Sequence, residues 1–277
     1  MPFTLSHAAA VLPVLRADGT GRGPLVASAL VAGTFAPDTA YFAASAVPAA
    51  MERGDFTHSA AGVLTVDVLI AAVLVGAWLL LREPLSALLP GEWRGRAYAL
   101  VRGRPRRGRP TAGLLLRGWL SAVLGAATHV VWDSFTHWDG WVVRRVPVLD
   151  EEVLGSPLYH QLQYGSSALA LVVIALFLRR AWRRLPDSPP PEGVPALSVR
   201  GRLWAVALLG GAAVAGAAHR CARRAAATPE AIPLEGYVPT ALFGAGAGLA
   251  PALVAYALVV YAVAACARRR ARRPVSG

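Results

Sequence analysis

Five of the six histidines in this chain fall where the hydrophobic pattern places one membrane face, and three acid–base side chains share one helical stripe. The stripe is His129, Asp133 and His137, inside the run from Thr128 to His137. Residues four apart on an α-helix are offset by roughly 40°, so the three side chains project along one narrow face. Imidazole and carboxylate are the ligands of zinc and related divalent ions, with Zn the expected metal and Mn an acceptable one. Setting such groups against apolar segments is costly and calls for a reason.

The elements that must position them are membrane helices. The chain has 277 residues, 55% of them hydrophobic, and a mean hydropathy of +0.46. Several apolar stretches reach the roughly 20 residues a spanning helix needs. The sequence predicts an all-α, polytopic helical membrane bundle: an N-terminal short-helix hairpin at about 4–16 and 24–37, then five long helices at about 60–82, 112–136, 164–182, 203–219 and 240–267. Gly19, Gly21, Gly23 and Pro24 break the hairpin, and Pro37-Asp38 stops its second arm. Residues 1–182 read as the membrane domain carrying the polar site and 183–202 as a cytoplasmic Pro/Arg linker. Residues 203–277 read as two further spanning helices and a basic cytoplasmic tail. The stretch Arg94–Arg109, rich in glycine and proline, reads as a flexible loop.

The net charge of +12 comes from arginine alone, with no lysine in the chain. Arginines cluster at the ends of apolar segments, so the charge reads as a topology signal and contact with membrane lipids, with no nucleic-acid partner. With residues 17–23, 83–111, 183–202 and the tail after 267 inside, 22 arginines face the cytoplasm and 6 face out. Arg220, Arg223 and Arg224 are exceptions to that bias. A bacterial plasma membrane with a cytoplasmic C-terminus is the expected setting. The N-terminus lacks a basic n-region, which argues against a cleaved signal peptide. Cys221 and Cys266 fall near ends of different helices, so a disulfide is not expected.

This topology gathers more polar groups at the outer face: His7 and Asp38 from the hairpin, His58 before the first long helix, and His160 before the third. Asp67 lies about 10 Å below the outer end of its helix, as deep as His129. It either ligates or orients His129, or it is a neutral helix–helix contact. His7 and His58 each also read as ordinary helix-end residues. Trp132, Trp138 and Trp141 read as interfacial anchors, and Gly244, Gly246 and Gly248 as close helix packing.

Several motifs recur together in one known family: Met1-Pro-Phe-Thr-Leu-Ser-His7, Ala36-Pro-Asp38, Thr57-His-Ser59, His129-xxx-Asp133-Ser-Phe-Thr-His137 and His160-Gln-Leu-Gln-Tyr-Gly-Ser-Ser167. Over roughly residues 1–180 they resemble the bacterial membrane proteins of domain of unknown function 4184. The last two helices match that family only in hydrophobicity. More distantly, the His, Pro-Asp, His-Ser and His-xxx-Asp series is similar to YdjM-type membrane-bound metal-dependent hydrolases, themselves akin to zinc-dependent phospholipase C. That resemblance implies His7, Asp38, His58, His129 and Asp133 as metal positions, with Asp67, His137 and His160 left as outer or substrate groups. The distant group carries a second histidine shortly before the one matching His58. Here Asp55 stands nearest, as a substitute ligand unless a second metal is absent. The expected activity is hydrolysis of a phosphoester or related bond in a lipid-derived substrate, with Asp38 or Asp133 as general base. The alternatives are a non-catalytic membrane protein with a structural polar cluster, and a transporter.

Overall fold

The computed structural model describes residues 3–102, 111–185, 189–190, 194–228 and 234–271. The chain opens with a 3-10 helix, Thr4–Val14. At three residues per turn this form stacks positions i and i+3, so Thr4 and His7 lie on one line. A tight reversal follows, in which Gly19 and Gly23 adopt φ of 77° and 57°, a left-handed conformation that glycine reaches without strain. Helices α1 (Ala27–Phe35) and α2 (Thr39–Ala43) come next, joined through Pro37 and Asp38. A 3-10 segment, Pro48–Arg53, leads into α3 (Gly54–Thr57) and α4 (Ala60–Leu64). The longer helices are α5 (Val66–Ser86), α6 (Gly91–Arg102), α7 (Ala112–Asp133), α8 (Leu158–Arg184), α9 (Val199–Ala227) and α10 (Leu234–Ala271).

Among the described residues, five helices are long and apolar enough to cross a membrane: α5, α7, α8, α9 and residues Gly236–Cys266 of α10. Their large apolar side chains face outward, as Leu69, Val73, Leu115, Leu116, Leu169, Leu208 and Val259 do. The chain is an integral membrane protein of the all-α class.

Several boundaries differ from the sequence expectation, each for a local reason. The helix expected from residue 60 is broken at Thr65 (φ −125°, ψ −84°), whose hydroxyl donates to the Ala61 carbonyl at 2.5 Å, so α5 starts at Val66. The expected loop at 94–109 is helical to Arg102, because Pro90 opens a helix rich in good helix formers and Arg102 pairs with Glu83 of α5. Residues 103–109 of that expected loop lie outside the described residues. Helix α8 begins before residue 164, behind a tight antiparallel hairpin of β1 (Glu152–Val153) and β2 (Ser156–Pro157). Helices α8 and α9 both extend into the expected linker of 183–202, of which 186–188 and 191–193 are not described.

The contact that fixes the site is between α1 and α7. The Val26 amide donates to Ser121 Oγ (2.9 Å) and the Thr34 carbonyl accepts from His129 Nδ1 (2.7 Å), both at a sequence offset of 95. The same offset sets Leu30 opposite Gly125 and Asp38 opposite Asp133, so the two helices run parallel, turn against turn. A Cβ on Gly125 would run into the Leu30 carbonyl, and one on Gly33 into the Ala122 carbonyl. Small residues permit this approach, as is usual between membrane helices. Ala32, Ala36, Ala71 and Ala122 form a small-residue core that brings α5 onto the pair. On the other side Val11, Leu15 and Leu30 pack with Phe177 of α8.

The α9–α10 hairpin is also built on glycine. Gly216 and Gly244 face each other's backbone, Gly248 meets Ala212, and Gly246 sits against the Phe42 ring of α2. Tyr256 donates to the Pro84 carbonyl at 2.8 Å, tying the far end of α10 to α5.

Candidate metal centre

Three chain segments deliver four donors to a single point. The 22-residue α7 presents His129 and Asp133 one turn apart. Asp38 precedes α2 but makes no capping hydrogen bond there, so its carboxylate is available to the site. Thr57 donates to the Pro37 carbonyl at 2.7 Å, which pins α3 against the α1–α2 corner and brings His58 over Asp38. One donor atom from each of Asp38, His58, His129 and Asp133 lies within 4.8 Å of all the others.

The spacing is informative. His129 Nε2 is 3.3 Å from Asp133 Oδ2 and 3.5 Å from Asp38 Oδ1. His58 Nε2 is 3.6 Å and 3.7 Å from the same two oxygens. Charge-assisted hydrogen bonds close to about 2.7–2.9 Å. Ligands about 2.0–2.1 Å from a tetrahedral ion stand about 3.3 Å apart. These four of the six donor–donor edges therefore match a coordination tetrahedron better than a hydrogen-bonded cluster.

The outward atoms of these ligands are already engaged. A carbonyl only accepts, so His129 Nδ1 carries the proton it gives to Thr34, leaving the Nε2 lone pair facing the site. His58 Nδ1 donates to the Gly54 carbonyl at 2.9 Å with the same result. Asp38 Oδ2 accepts from the Thr4 hydroxyl. This is the arrangement in which a second layer fixes tautomer and orientation for metal ligands. Meanwhile two of these donor atoms, His129 Nε2 and Asp38 Oδ1, are buried without a hydrogen-bond partner. Orphaned polar atoms of this kind are rare and need an explanation, and a divalent cation fits them.

His7 completes the centre from the side. Its ring stacks on His129 with centroids 3.7 Å apart, and its Nε2 lies 3.3 Å from Asp133 Oδ1. Burial, then the neighbouring His129, lowers its pKa to about 3, so the ring is neutral and able to ligate. Burial pushes the Asp38 carboxyl up, but the facing His129 outweighs that and holds it below the ordinary carboxylate range. Burial and then Asp38 push the Tyr41 phenol up.

The outer groups divide. His137 Nδ1 lies 3.8 Å from Asp133 Oδ2 and 3.2 Å from the Asp133 carbonyl, and its Nε2 is 3.1 Å from Gln163 Nε2. Both ring nitrogens thus have partners, and burial lowers its pKa. His160 does not join the cluster; it packs edge-on against Tyr164, and Gln163 of the same motif reaches the site instead. Asp67 does not orient His129, because the Thr34 carbonyl already does so; its carboxylate is buried with neither oxygen hydrogen-bonded. Asp55 is exposed and outside the group of four. Trp132 is more than an interfacial anchor: it meets the His7 ring edge at 5.2 Å and donates to Ser166 at 3.1 Å. Trp138 and Trp141 are exposed.

Three participants escaped the sequence reading. Thr4 was visible only through the i, i+3 geometry of a 3-10 helix. The Thr34 and Gly54 carbonyls are backbone atoms and carry no side-chain signal.

The fold and this centre define a multi-pass helical membrane protein with a buried His/Asp group able to hold a metal ion. A family model, Domain of unknown function (DUF4184), matches residues 1–258, and the chain belongs to that family. The match runs past the motifs of residues 1–180 and into α10, so the last two helices share more with the family than hydrophobicity. No curated protein and no solved structure matches the chain.

Proposed function

We propose that this centre is the active site of a membrane-embedded metal-dependent hydrolase acting on a phosphoester or related bond of a lipid-derived substrate at the extracytoplasmic face. The observation that carries the reading is the inward set of four donors whose outward atoms are tied to Thr34, Gly54 and Thr4. Asp38, His58, His129 and Asp133 would hold a divalent ion, Zn or Mn, with His7 at its side. Such an ion supplies Lewis acidity and makes a coordinated water acidic near neutral pH.

Of the two carboxylates, Asp133 is the better general base. Its Oδ1 has no hydrogen-bond donor and faces neutral His7, whereas Asp38 Oδ2 is occupied by Thr4. Access comes from the side of His58 and His137, whose side chains are 20% and 24% exposed while His7 and His129 are sealed. Transport is disfavoured, since the other half of α7 turns Leu115, Leu116, Leu120 and Leu124 outward and offers no chain of ionisable groups.

The test is turnover of a fluorogenic phosphodiester lipid by the detergent-purified full chain. Activity should vanish with chelator, return with Zn²⁺ or Mn²⁺, and be absent in His129→Ala. A chain that holds a stoichiometric ion yet turns over no lipid phosphoester would contradict the hydrolase and leave a structural ion.

A further inference from the structure

Arg220, Arg223 and Arg224 sit at the end of the bundle where a positive-inside arrangement disfavours them, and their contacts make that placement specific. At spacings of three and four they share one face of α9. Arg220 donates to the Tyr41 carbonyl and to Ser45 Oγ (2.6 Å), Arg223 to the Ser45 carbonyl (3.3 Å), and Arg224 to Thr240 Oγ1 (3.0 Å). Every one of these acceptors is neutral. Among the described residues no carboxylate is ion-paired with any of the three, although a guanidinium keeps its charge at any relevant pH.

Arg220 connects to the metal centre through two aromatic rings. The Arg220 guanidinium lies 5.3 Å over the Phe243 ring, Phe243 is 5.7 Å from Tyr41, and Tyr41 is 5.6 Å from His58. Tyr41 also follows Asp38 by three residues, in the short helix that Arg220 holds by its backbone. Arg220 is half-buried and fixed, while Arg223 and Arg224 are exposed. Guanidinium groups with no carboxylate partner among the described residues, close to a cation site, suit an anion. The planar fork of arginine matches phosphate oxygens two at a time.

We propose that Arg220, Arg223 and Arg224 form a phosphate-recognition site that seats an anionic lipid headgroup beside the metal centre. The assignment of that lipid as the substrate rests on the hydrolase reading; the binding site itself does not. The substrate class is then a lipid bearing an anionic phosphate close to the bond to be cleaved, as opposed to a neutral or zwitterionic one. Arg220 is both a structural clamp on α2 and the inner wall of the site. Arg223 and Arg224 supply the accessible charge.

The test is native mass spectrometry of the full-length protein with phosphatidylglycerol or phosphatidylcholine, in the presence of chelator so that no metal contributes. Wild type should retain phosphatidylglycerol about tenfold more tightly than phosphatidylcholine, the scale of one or two charged hydrogen bonds. Arg223→Gln/Arg224→Gln, which leaves the Arg220 clamp intact, should hold one fewer tightly bound phosphatidylglycerol. Arg179→Gln/Arg183→Gln, at the opposite end of the bundle, should not lose that lipid. Displacement by inorganic phosphate would name the free anion as the ligand, and resistance to it the lipid headgroup. Equal retention of the two lipids by wild type, or an unchanged count in the Arg223/Arg224 variant, would overturn the site. Neither result bears on metal content, so failure here is separable from failure of the hydrolase reading.

Discussion

His129 Nδ1 lies 2.7 Å from the carbonyl oxygen of Thr34, a bond that joins α7 to α1 four residues before Asp133 on one segment and Asp38 on the other. It fixes the imidazole tautomer and, through the 95-residue register, aligns Asp38 with Asp133. Packing register and ligand orientation are therefore one feature. The same contact that holds the helices together decides which nitrogen of His129 faces the centre.

Because the ligands are held from behind, the outer layer should matter nearly as much as the ligands. Thr4→Val keeps the shape of the side chain but removes the hydroxyl that Asp38 Oδ2 accepts. Zinc affinity should fall roughly tenfold or more while the bundle stays folded. Competition titration with a chromogenic chelator reads this directly, and an unchanged affinity would show that Thr4 does not orient Asp38.

The glycine contacts predict a contrast in stability. Gly125→Leu forces a side chain into the Leu30 carbonyl and should cost about 1–3 kcal/mol, with loss of metal as the register shifts. Gly76→Ala meets nothing within 4 Å in mid-α5 and should be neutral or stabilising by up to about 1 kcal/mol. Thermal unfolding in detergent distinguishes them; equal melting temperatures would refute the close α1–α7 approach.

His137 and Asp67 should be the tolerant members of the polar set. His137 already has partners at both ring nitrogens, and Asp67 contributes no atom to the group of four. His137→Ala and Asp67→Asn should each retain the full metal content of wild type. An apo protein from either substitution would add that residue to the ligands.

Much of this was legible in the chain. Spanning helices announce themselves by length and apolarity, and the i, i+4 pair of His129 and Asp133 stands out because ionisable groups are costly there. Helix ends were less readable. Thr65 breaks a helix through its own side chain, and Arg102 extends one through a partner on α5, neither of which periodicity encodes. Within the site the histidine of His160-Gln-Leu-Gln163 drew the eye, yet the glutamine reaches His137. Three-residue steps along one helix turn separate the two, and only the helix's rotation against its neighbours chooses between them. Arg220, Arg223 and Arg224 looked like exceptions to the charge bias because their acceptors, Tyr41, Ser45 and Thr240, are distant in sequence.

The arginine distribution predicts an orientation that labelling can test. Cysteine reporters at Arg106 and Pro190 should be protected from impermeant reagent outside intact cells, and one at Asp150 should react. Labelling at both Arg106 and Asp150 would mean that the segment between them does not cross the membrane.

The most direct measurement is elemental analysis of the detergent-purified chain beside His129→Ala and Asp133→Ala. Wild type should carry a stoichiometric divalent ion or take up added Zn²⁺ or Mn²⁺. Each variant should lose it while keeping its helical circular dichroism, since membrane helices satisfy their own backbone hydrogen bonds. A wild-type protein with no ion, unable to recruit either metal, would contradict the account at its centre.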